Sequence, residues 1–256
     1  MCIRDSYTAV PFGMTAQELV NWYYHDGGHE LHDELGQIFG LKSFLAGNTG
    51  AQAGGWFSKE ITGPEDFQGL KFRMPGLGGQ ALGRMGASVQ NLPGAEVYQA
   101  LASGAIDGTE WIGPWADEKA GFQEITKIYY TAGFHEPGAG LSLATNREVF
   151  ESLSPAHQKV IEIASAETHQ WNLSQFLANN GSALQRLQSG GVTVREFPDS
   201  VWDAMGSAAN EVLQENMGDD LFKRIYDSAM GSMRASSGWL TRSEGVYRTQ
   251  RDRVLG

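Results

Sequence analysis

The 256-residue sequence contains only one cysteine, Cys2, so it cannot form an intrachain disulfide. It also has no apolar run near the roughly 20 residues that a membrane-spanning helix needs. Basic residues are few: 19 Lys and Arg stand against 30 Asp and Glu, and the formal net charge is -11. This balance argues against a nucleic-acid-binding face and against a basic surface for anionic membranes. If the protein binds an anion, the binding site itself must supply the positive charge.

Several catalytic signatures are also missing. The sequence has no Gly-x-Ser-x-Gly nucleophile elbow, no phosphate-binding glycine loop followed by lysine, and no dinucleotide-binding fingerprint. The glycine-rich run at 76–79 is too short to be one, and the single cysteine is a poor candidate for a nucleophile. These absences agree with a binding protein without proving that it is inactive.

Hydrophobic residues make up 41% of the sequence and aromatic residues 11%, which is typical of a globular protein with a substantial core. Between residues 44 and 143, short apolar stretches alternate with helical patterns, and glycines mark the joins. Such alternation is typical of βαβ units and predicts an α/β fold. We predict helices over 77–85 and 95–103 and strands over 88–92 and 105–111.

The sequence beyond Glu148 is predominantly helical. Ser154 suits an N-cap and Pro155 the first position of a helix, and no strong stop signal occurs before Gly190. At ~1.5 Å per residue this helix would be ~50 Å long, enough to span two lobes. The Asn-Asn-Gly sequence at 179–181 is a candidate point for a bend or a division.

Polar side chains stand where three apolar stretches are predicted to end. Arg73 precedes a Pro-Gly turn, Glu110 and Trp111 close the stretch 105–111, and Glu136 precedes a second Pro-Gly turn. Because ligands of open α/β sheets lie outside the carboxyl ends of the strands, we expect one shared site. A guanidinium presents a planar fork that matches a carboxylate through two hydrogen bonds. The alternative is a loop ion pair between Arg73 and Glu136, with Trp111 in the core.

These segments, together with Pro-Phe-Gly-Met at 11–14 and Gly-Asn-Thr-Gly-Ala-Gln-Ala-Gly-Gly-Trp-Phe at 47–57, resemble the extracytoplasmic solute receptors of tripartite ATP-independent periplasmic (TRAP) transporters. The similarity is strongest to the branch that binds 2-oxo acids and related organic acids with a metal ion. It extends from about Tyr7 to the C-terminal region, and five separated motifs in the right order are more specific than any single motif. The resemblance implies a periplasmic-binding-protein-like α/β fold, in which two lobes surround a ligand cleft and a long helix spans both.

The resemblance also assigns roles to individual residues. It implies that Arg73 clamps the ligand carboxylate and that Gln52, Trp111 and Glu136 hold a sodium or calcium ion, the tryptophan through its carbonyl oxygen. Hard cations prefer such oxygen ligands. In the alternative, the site is metal-free and Gln52 bonds the ligand directly. Glu110 could orient Arg73 or the metal shell from outside. The expected substrate-binding residues are therefore Arg73, Trp111, Gln52 and Glu110, and no organic cofactor is expected.

The function implied by the resemblance is high-affinity capture of a small organic acid anion, such as a 2-oxo acid or another monocarboxylate. The bound acid would be delivered to a small and a large integral membrane subunit of the transporter. Such a protein would be periplasmic, would not bind nucleic acid and would not be an enzyme. The sequence leaves a homodimer open.

The chain is interpreted as part of a longer receptor. Residues 1–6 read as a translated, non-native scar and contain no signal peptide, whereas the family's members begin well upstream of the motif at 11–14. We predict that 7–50 is the remainder of an N-terminal lobe and that 51–145 is a second α/β lobe with most of the site residues. The segment 146–256 would then hold the lobe-spanning helix and the C-terminal helices.

A histidine-rich segment supports a competing hypothesis. His25, His29 and His32, each followed by an acidic residue, recur at spacings of four and three, which on one continuous helix would place three imidazoles on one face. Such a cluster could bind zinc and serve a metal-dependent hydrolase. Glycines at 27 and 28 interrupt the run, however, and no known zincin spacing is present. The hydrolase is therefore the runner-up interpretation.

Overall fold

The structure, a computed structural model, describes residues 9–256. The predicted scar over 1–6 lies outside the described residues. Two sheets organise the described chain. The smaller sheet pairs strand β1 (Leu41–Asn48) antiparallel with strand β7 (Gly140–Asn146). The larger sheet has the strand order β4-β3-β5-β2-β6-β8, with β2 at Gly55–Phe57, β3 at Lys71–Arg73, β4 at Ser88–Gln90, β5 at Gly108–Thr109, β6 at Ile128–Tyr130 and β8 at Thr193–Arg195.

The larger sheet is mixed. Strand β3 runs parallel to β4 and β5, and β6 runs parallel to β8, whereas β2 is antiparallel to both of its neighbours. The chain crosses between the two sheets through two short segments, residues 49–54 and 131–139, and a third time through the long helical segment 147–192. The predicted division of the chain at residues 50 and 145 stays a prediction.

Helices surround both sheets. Within residues 9–256, no helix is both long enough and apolar enough to cross a membrane. The α-helices are α1 (Ala16–His25), α2 (Gly28–Ile38), α3 (Gly76–Arg84), α4 (Gly94–Ala102), α5 (Pro114–Ala120), α6 (Arg147–Ser152), α7 (Pro155–Ser189), α8 (Asp199–Asn216), α9 (Asp220–Leu240) and α10 (Val246–Leu255).

The predicted helices over 77–85 and 95–103 are confirmed, whereas both predicted strands are shorter: the strand over 88–92 ends at Gln90. The predicted strand over 105–111 is paired only at Gly108 and Thr109. The amide groups of Ala105 and Ile106 instead donate to the carbonyl oxygen of Ala100, at 2.9 and 3.3 Å, and so form the turn that ends α4. The apolar run therefore begins as a helix end and only then becomes a strand.

Alternation along β2 explains why the large sheet has apolar layers on both faces. Phe57 packs with Phe72 in a core formed with α3 and α8. Its neighbour Trp56 packs with Tyr129 in a second core, to which α4 and the end of α7 contribute. Successive side chains of a strand point to opposite faces, so a strand whose residues are all buried requires helices on both sides. A third core joins α1, α2, β1 and α9 beside the small sheet.

Helix α7 begins as predicted but is not divided at 179–181. The Ser154 side chain accepts a hydrogen bond from the His157 amide, and the helix continues for 35 residues. The Oδ1 of Asn180 accepts from the amide of Trp115 in α5 at 3.1 Å, and the Oδ1 of Asn172 accepts from Asn48 in β1 at 2.9 Å. These asparagines bond to neighbouring elements rather than compete with their own helix. Helix α7 thus bonds both to strand β1 of the small sheet and to helix α5.

The outer edge of β7 is open in the part of the chain that the structure describes. Strand β7 pairs only with β1, and the side chains of Leu141 and Leu143 are 43% and 42% exposed. An exposed edge with apolar side chains is a template for pairing with another chain.

We therefore expect the isolated chain to self-associate through this edge. Leu143→Lys places a charge there and should reduce association measured by sedimentation velocity, because a charged edge resists pairing. Val149→Lys, at a 61% exposed position on α6, is the control with the same chemical change away from the edge. Equal association of the two variants would contradict the assignment.

Candidate functional site

The two short crossing segments, residues 49–54 and 131–139, lie side by side and are joined by backbone hydrogen bonds. The amide of Gln52 donates to the carbonyl of Glu136 at 3.0 Å, and the amide of Gly133 donates to the carbonyl of Gln52 at 2.8 Å. The amide of Thr49 donates to the carbonyl of Ala139 at 3.2 Å. The structure therefore brings together two of the predicted metal-binding residues, Gln52 and Glu136, where the chain passes between the sheets.

The Gln52 side chain has an oxygen that lacks a donor. Its Nε2 donates to Oγ1 of Thr49 at 3.1 Å, but within residues 9–256 its buried Oε1 has no hydrogen-bond partner. Burying an amide oxygen without a partner is costly. An amide oxygen is a good ligand for a hard cation. The residues present therefore fit a sodium or calcium ion. Glu136 is half-buried and, with His135 and the start of α3, lines a cavity of about 140 Å³.

Arg73, at the end of β3, is held in place by the protein itself. Its guanidinium forms an ion pair with Glu110, and its Nε donates to the carbonyl of Leu92 at 3.3 Å. The guanidinium also lies 5.6 Å from the ring centroid of Trp111, within range of a cation–π interaction. The alternative pairing of Arg73 with Glu136 is therefore replaced by a pairing with Glu110.

Trp111 links this cluster to the crossing segments. Its ring is half-buried and lies 5.9 Å from that of Phe122. The next residue, Ile112, accepts a hydrogen bond through its carbonyl from the amide of Ala53 at 3.0 Å. Trp111 is thus adjacent to Arg73 through its ring and is tied through the following residue to the segment that carries Gln52.

His135 belongs to the same cluster, although the sequence interpretation did not select it. The residue is 3% exposed, and its Nε2 lies 3.5 Å from Oε2 of Glu110. Burial acts to lower the pKa of His135, but the carboxylates of Glu110 and Glu136 outweigh this effect, and the pKa lies above its ordinary value. Its position directly before Glu136 was the only available signal. Glu110 therefore stands between two basic side chains.

A larger cavity of about 540 Å³ lies beside the same crossing segments. Gly50, Ala51 and Pro137 line it, together with residues of α1, α7 and the C-terminal helices. None of the predicted substrate or metal residues lines this cavity. The candidate site is therefore defined by its polar geometry and not by cavity size.

The histidine segment does not form the predicted zinc cluster. Helix α1 ends at His25, and Gly27 adopts a left-handed conformation before α2 begins, so the three histidines do not share one helix. His32 is buried, with Tyr23 Oη at 3.4 Å from its Nδ1 and Ser142 Oγ at 3.2 Å from its Nε2. Within residues 9–256, no group of three His, Cys, Asp or Glu residues could hold a metal ion. The hydrolase hypothesis is not supported.

His32 should instead make folding stability depend on pH. Burial, helped by the nearby His29, lowers the pKa of His32 to about 4. The unfolded chain therefore binds a proton below pH ~6.5 that the folded chain does not bind until about pH 4, so stability is lost as the pH falls through this window. The full effect is on the order of 3 kcal/mol.

We expect His32→Gln to flatten the decline in the free energy of unfolding between pH 6.5 and 4, measured by urea denaturation. Exposed His157→Gln is the matched control and should leave the slope unchanged. Because slopes are compared, the contributions of other titrating groups cancel. Parallel curves for all three proteins would contradict a neutral, buried His32.

The fold and the site together define a two-lobed α/β solute-binding protein. Residues 6–220 match the family model described as bacterial extracellular solute-binding protein, family 7, and the chain belongs to that family. A monocarboxylate 2-oxoacid-binding periplasmic protein of Nostoc is 39% identical over 241 residues, which are 94% of this chain and 66% of that protein. The chain thus spans less than two thirds of the length of the curated relatives it matches.

Two solved structures show the same architecture. A TRAP transporter solute-binding protein from Bordetella bronchiseptica, a dimer of mixed occupancy with copurified calcium and picolinate in one site, has a TM-score of 0.96 and 33% identity. The alignment covers 99% of this chain and 76% of that one. A TRAP periplasmic solute-binding protein from Pseudoalteromonas atlantica, with bound sodium and pyruvate, has a TM-score of 0.91 and 39% identity, covering 95% and 74% of the two chains. The predicted periplasmic-binding-protein-like fold is confirmed.

Proposed function

We propose that this chain is the larger part of a periplasmic receptor that captures a small organic acid anion and delivers it to the membrane subunits of a TRAP transporter. The acid belongs to the 2-oxo or monocarboxylate class. The Nostoc relative is named for binding such acids, and the Pseudoalteromonas structure contains pyruvate, a member of this class. The observation that carries the proposal is the largely buried guanidinium of Arg73, held against Glu110 and Trp111. Such a receptor makes and breaks no bond.

Arg73 would bind the carboxylate of the ligand. Its side chain is only 12% exposed, so a carboxylate that reaches it leaves bulk water and gains a strong, charge-assisted pair. The contacts with Glu110 and Leu92 fix the plane of the guanidinium before the ligand arrives, which lowers the entropy lost on binding. In a chain with a net charge of -11, this local cation is what permits an anion to bind.

A sodium or calcium ion would complete the site. An acid bound at Arg73 would also lie near the carboxylates of Glu110 and Glu136, and a cation offsets that like-charge repulsion. Gln52 Oε1, the Trp111 carbonyl and Glu136 are the protein oxygens that would hold it. The unpartnered Gln52 Oε1 supports this role more directly than it supports a metal-free site.

Capture would proceed by closure of the lobes. Contacts from both lobes favour the closed state, and only the difference in affinity between the open and closed states can shift their equilibrium. The hinge regions are the crossing segments at 49–54 and 131–139. Delivery to the membrane subunits then requires that those subunits favour the open state.

Removal of the metal should weaken acid binding, and Glu136→Gln should remove both this dependence and most of the affinity. We expect isothermal titration of the full-length receptor with pyruvate to show a weaker Kd in chelated, sodium-free buffer than with either cation. Glu148→Gln, on α6, is the control for loss of one carboxylate. Equal affinities in metal-free and metal-replete buffers would eliminate the bridging cation.

Arg73 provides the most direct test of the site. Removing one member of a buried charged pair costs ~3–5 kcal/mol, so Arg73→Ala should weaken acid binding at least a hundredfold, at ~1.4 kcal/mol per tenfold. Arg73→Lys keeps the charge but loses the planar fork, and its affinity should lie between those of the wild type and the alanine variant. The readout is Kd by titration, with circular dichroism as the folding control.

Two further variants make this result interpretable. Arg84→Ala removes an exposed arginine that pairs with Glu215 and should bind as the wild type does. Arg73→Ala combined with Glu110→Gln tests whether an unpaired Glu110 alone repels the ligand, and this double variant should remain weak. If Arg73→Ala binds within a few-fold of the wild type, the arginine is structural and the proposed site is misplaced.

A further inference from the structure

Asp117 is a buried carboxylate outside the predicted site. It lies in α5 and is 0% exposed, and its Oδ2 accepts a hydrogen bond from Nε1 of Trp56 at 3.0 Å. Burial raises its pKa to about 6. A carboxylate in this environment costs free energy that an apolar side chain of similar size would not cost. Its presence therefore calls for a role beyond filling the core.

The second oxygen of Asp117 holds the loop that follows Trp111. Oδ1 accepts hydrogen bonds from the amides of Ile112, at 3.0 Å, and of Gly113, at 2.8 Å. In a trans peptide, the carbonyl and the N–H of the same unit point in opposite directions. Because the amide of Ile112 points at Asp117, the carbonyl of Trp111 points away from it.

The next peptide unit, between Ile112 and Gly113, has the same orientation, and the partner of its carbonyl is known. The amide of Gly113 also points at Asp117, so the carbonyl of Ile112 points away as well. That carbonyl accepts from the amide of Ala53, the residue after Gln52, at 3.0 Å. The two amide bonds to Asp117 thus leave the Ile112 carbonyl bonded to the crossing segment that carries Gln52, and they turn the Trp111 carbonyl away from Asp117.

We propose that Asp117 is a positioning residue, which holds the loop 111–113 so that the Trp111 carbonyl faces the Gln52 side of the site, where the cation binds. The inference rests on the proposed function and extends it to a residue that contacts neither the acid nor the metal. The competing explanation is that Asp117 only pairs the indole N–H of Trp56 in the core.

Variants in a Trp56→Phe background separate the two explanations, because phenylalanine has no N–H to satisfy. In that background Asp117→Asn keeps an oxygen for the two loop amides, whereas Asp117→Leu keeps none. Each full-length variant is titrated with calcium alone, and with pyruvate both in calcium-replete buffer and in chelated, sodium-free buffer. Amide hydrogen exchange at Ile112 and Gly113 in the metal-free protein measures the loop directly.

We expect Trp56→Phe and Trp56→Phe/Asp117→Asn to bind calcium within about threefold of each other. Trp56→Phe/Asp117→Leu should bind calcium at least tenfold more weakly, exchange its loop amides faster, and bind pyruvate in chelated buffer nearly unchanged. If the leucine variant does not fold, Asp117→Ala in the same background, which also keeps no oxygen, replaces it.

Two results would overturn the inference, and only the second would also overturn part of the proposed function. If the leucine variant binds calcium as the phenylalanine background does, Asp117 serves only the core, and the proposed function stands. If wild-type binding of pyruvate does not depend on calcium or sodium, no metal ion bridges the acid and the protein. The proposed role of Asp117 in positioning a metal ligand is then contradicted as well.

Discussion

The backbone hydrogen bonds between the crossing segments 49–54 and 131–139 hold two of the proposed metal ligands next to each other. Gln52 and Glu136 are joined through their main chains at 3.0 Å, and each belongs to a segment that runs from one sheet to the other. When lobes rotate, segments of this kind absorb the change, and groups closest to the pivot move least. Metal ligands placed there can keep their mutual geometry while the lobes open and close.

Around these segments, the charged side chains are arranged as the proposed binding of an anion requires. Arg73 comes from the large sheet, and Glu110, directly after the neighbouring strand β5, pairs with its guanidinium. His135 approaches Glu110 from the segment that carries Glu136. The cost is that two carboxylates stand close to an anion-binding group. A metal ion near Gln52 would remove this conflict, which is why the acid and the cation are proposed as one binding unit.

Local signals in the sequence were sufficient for the elements but not for the contacts between them. Ser154 and Pro155 define the start of α7 because capping depends on neighbouring residues alone. The partner of Arg73 depends on the register between β3 and β5, in which Arg73 lies opposite Thr109, and no local pattern encodes it. The uninterrupted course of α7 likewise depends on partners of Asn180 that lie far away in sequence.

The positions that sequence reasoning missed have a common physical property. His135 and Asp117 are titratable groups with at most 3% exposure, and composition or periodicity would assign apolar residues to such places. Departures from local rules are expected where a fold serves a function. The Oε1 of Gln52, which is buried without a hydrogen-bond partner among residues 9–256, lowers the stability of the unliganded protein. A ligand that binds only the folded state recovers that loss through linkage. The unpartnered oxygen of Gln52 is therefore a feature whose free-energy cost the proposed cation would offset.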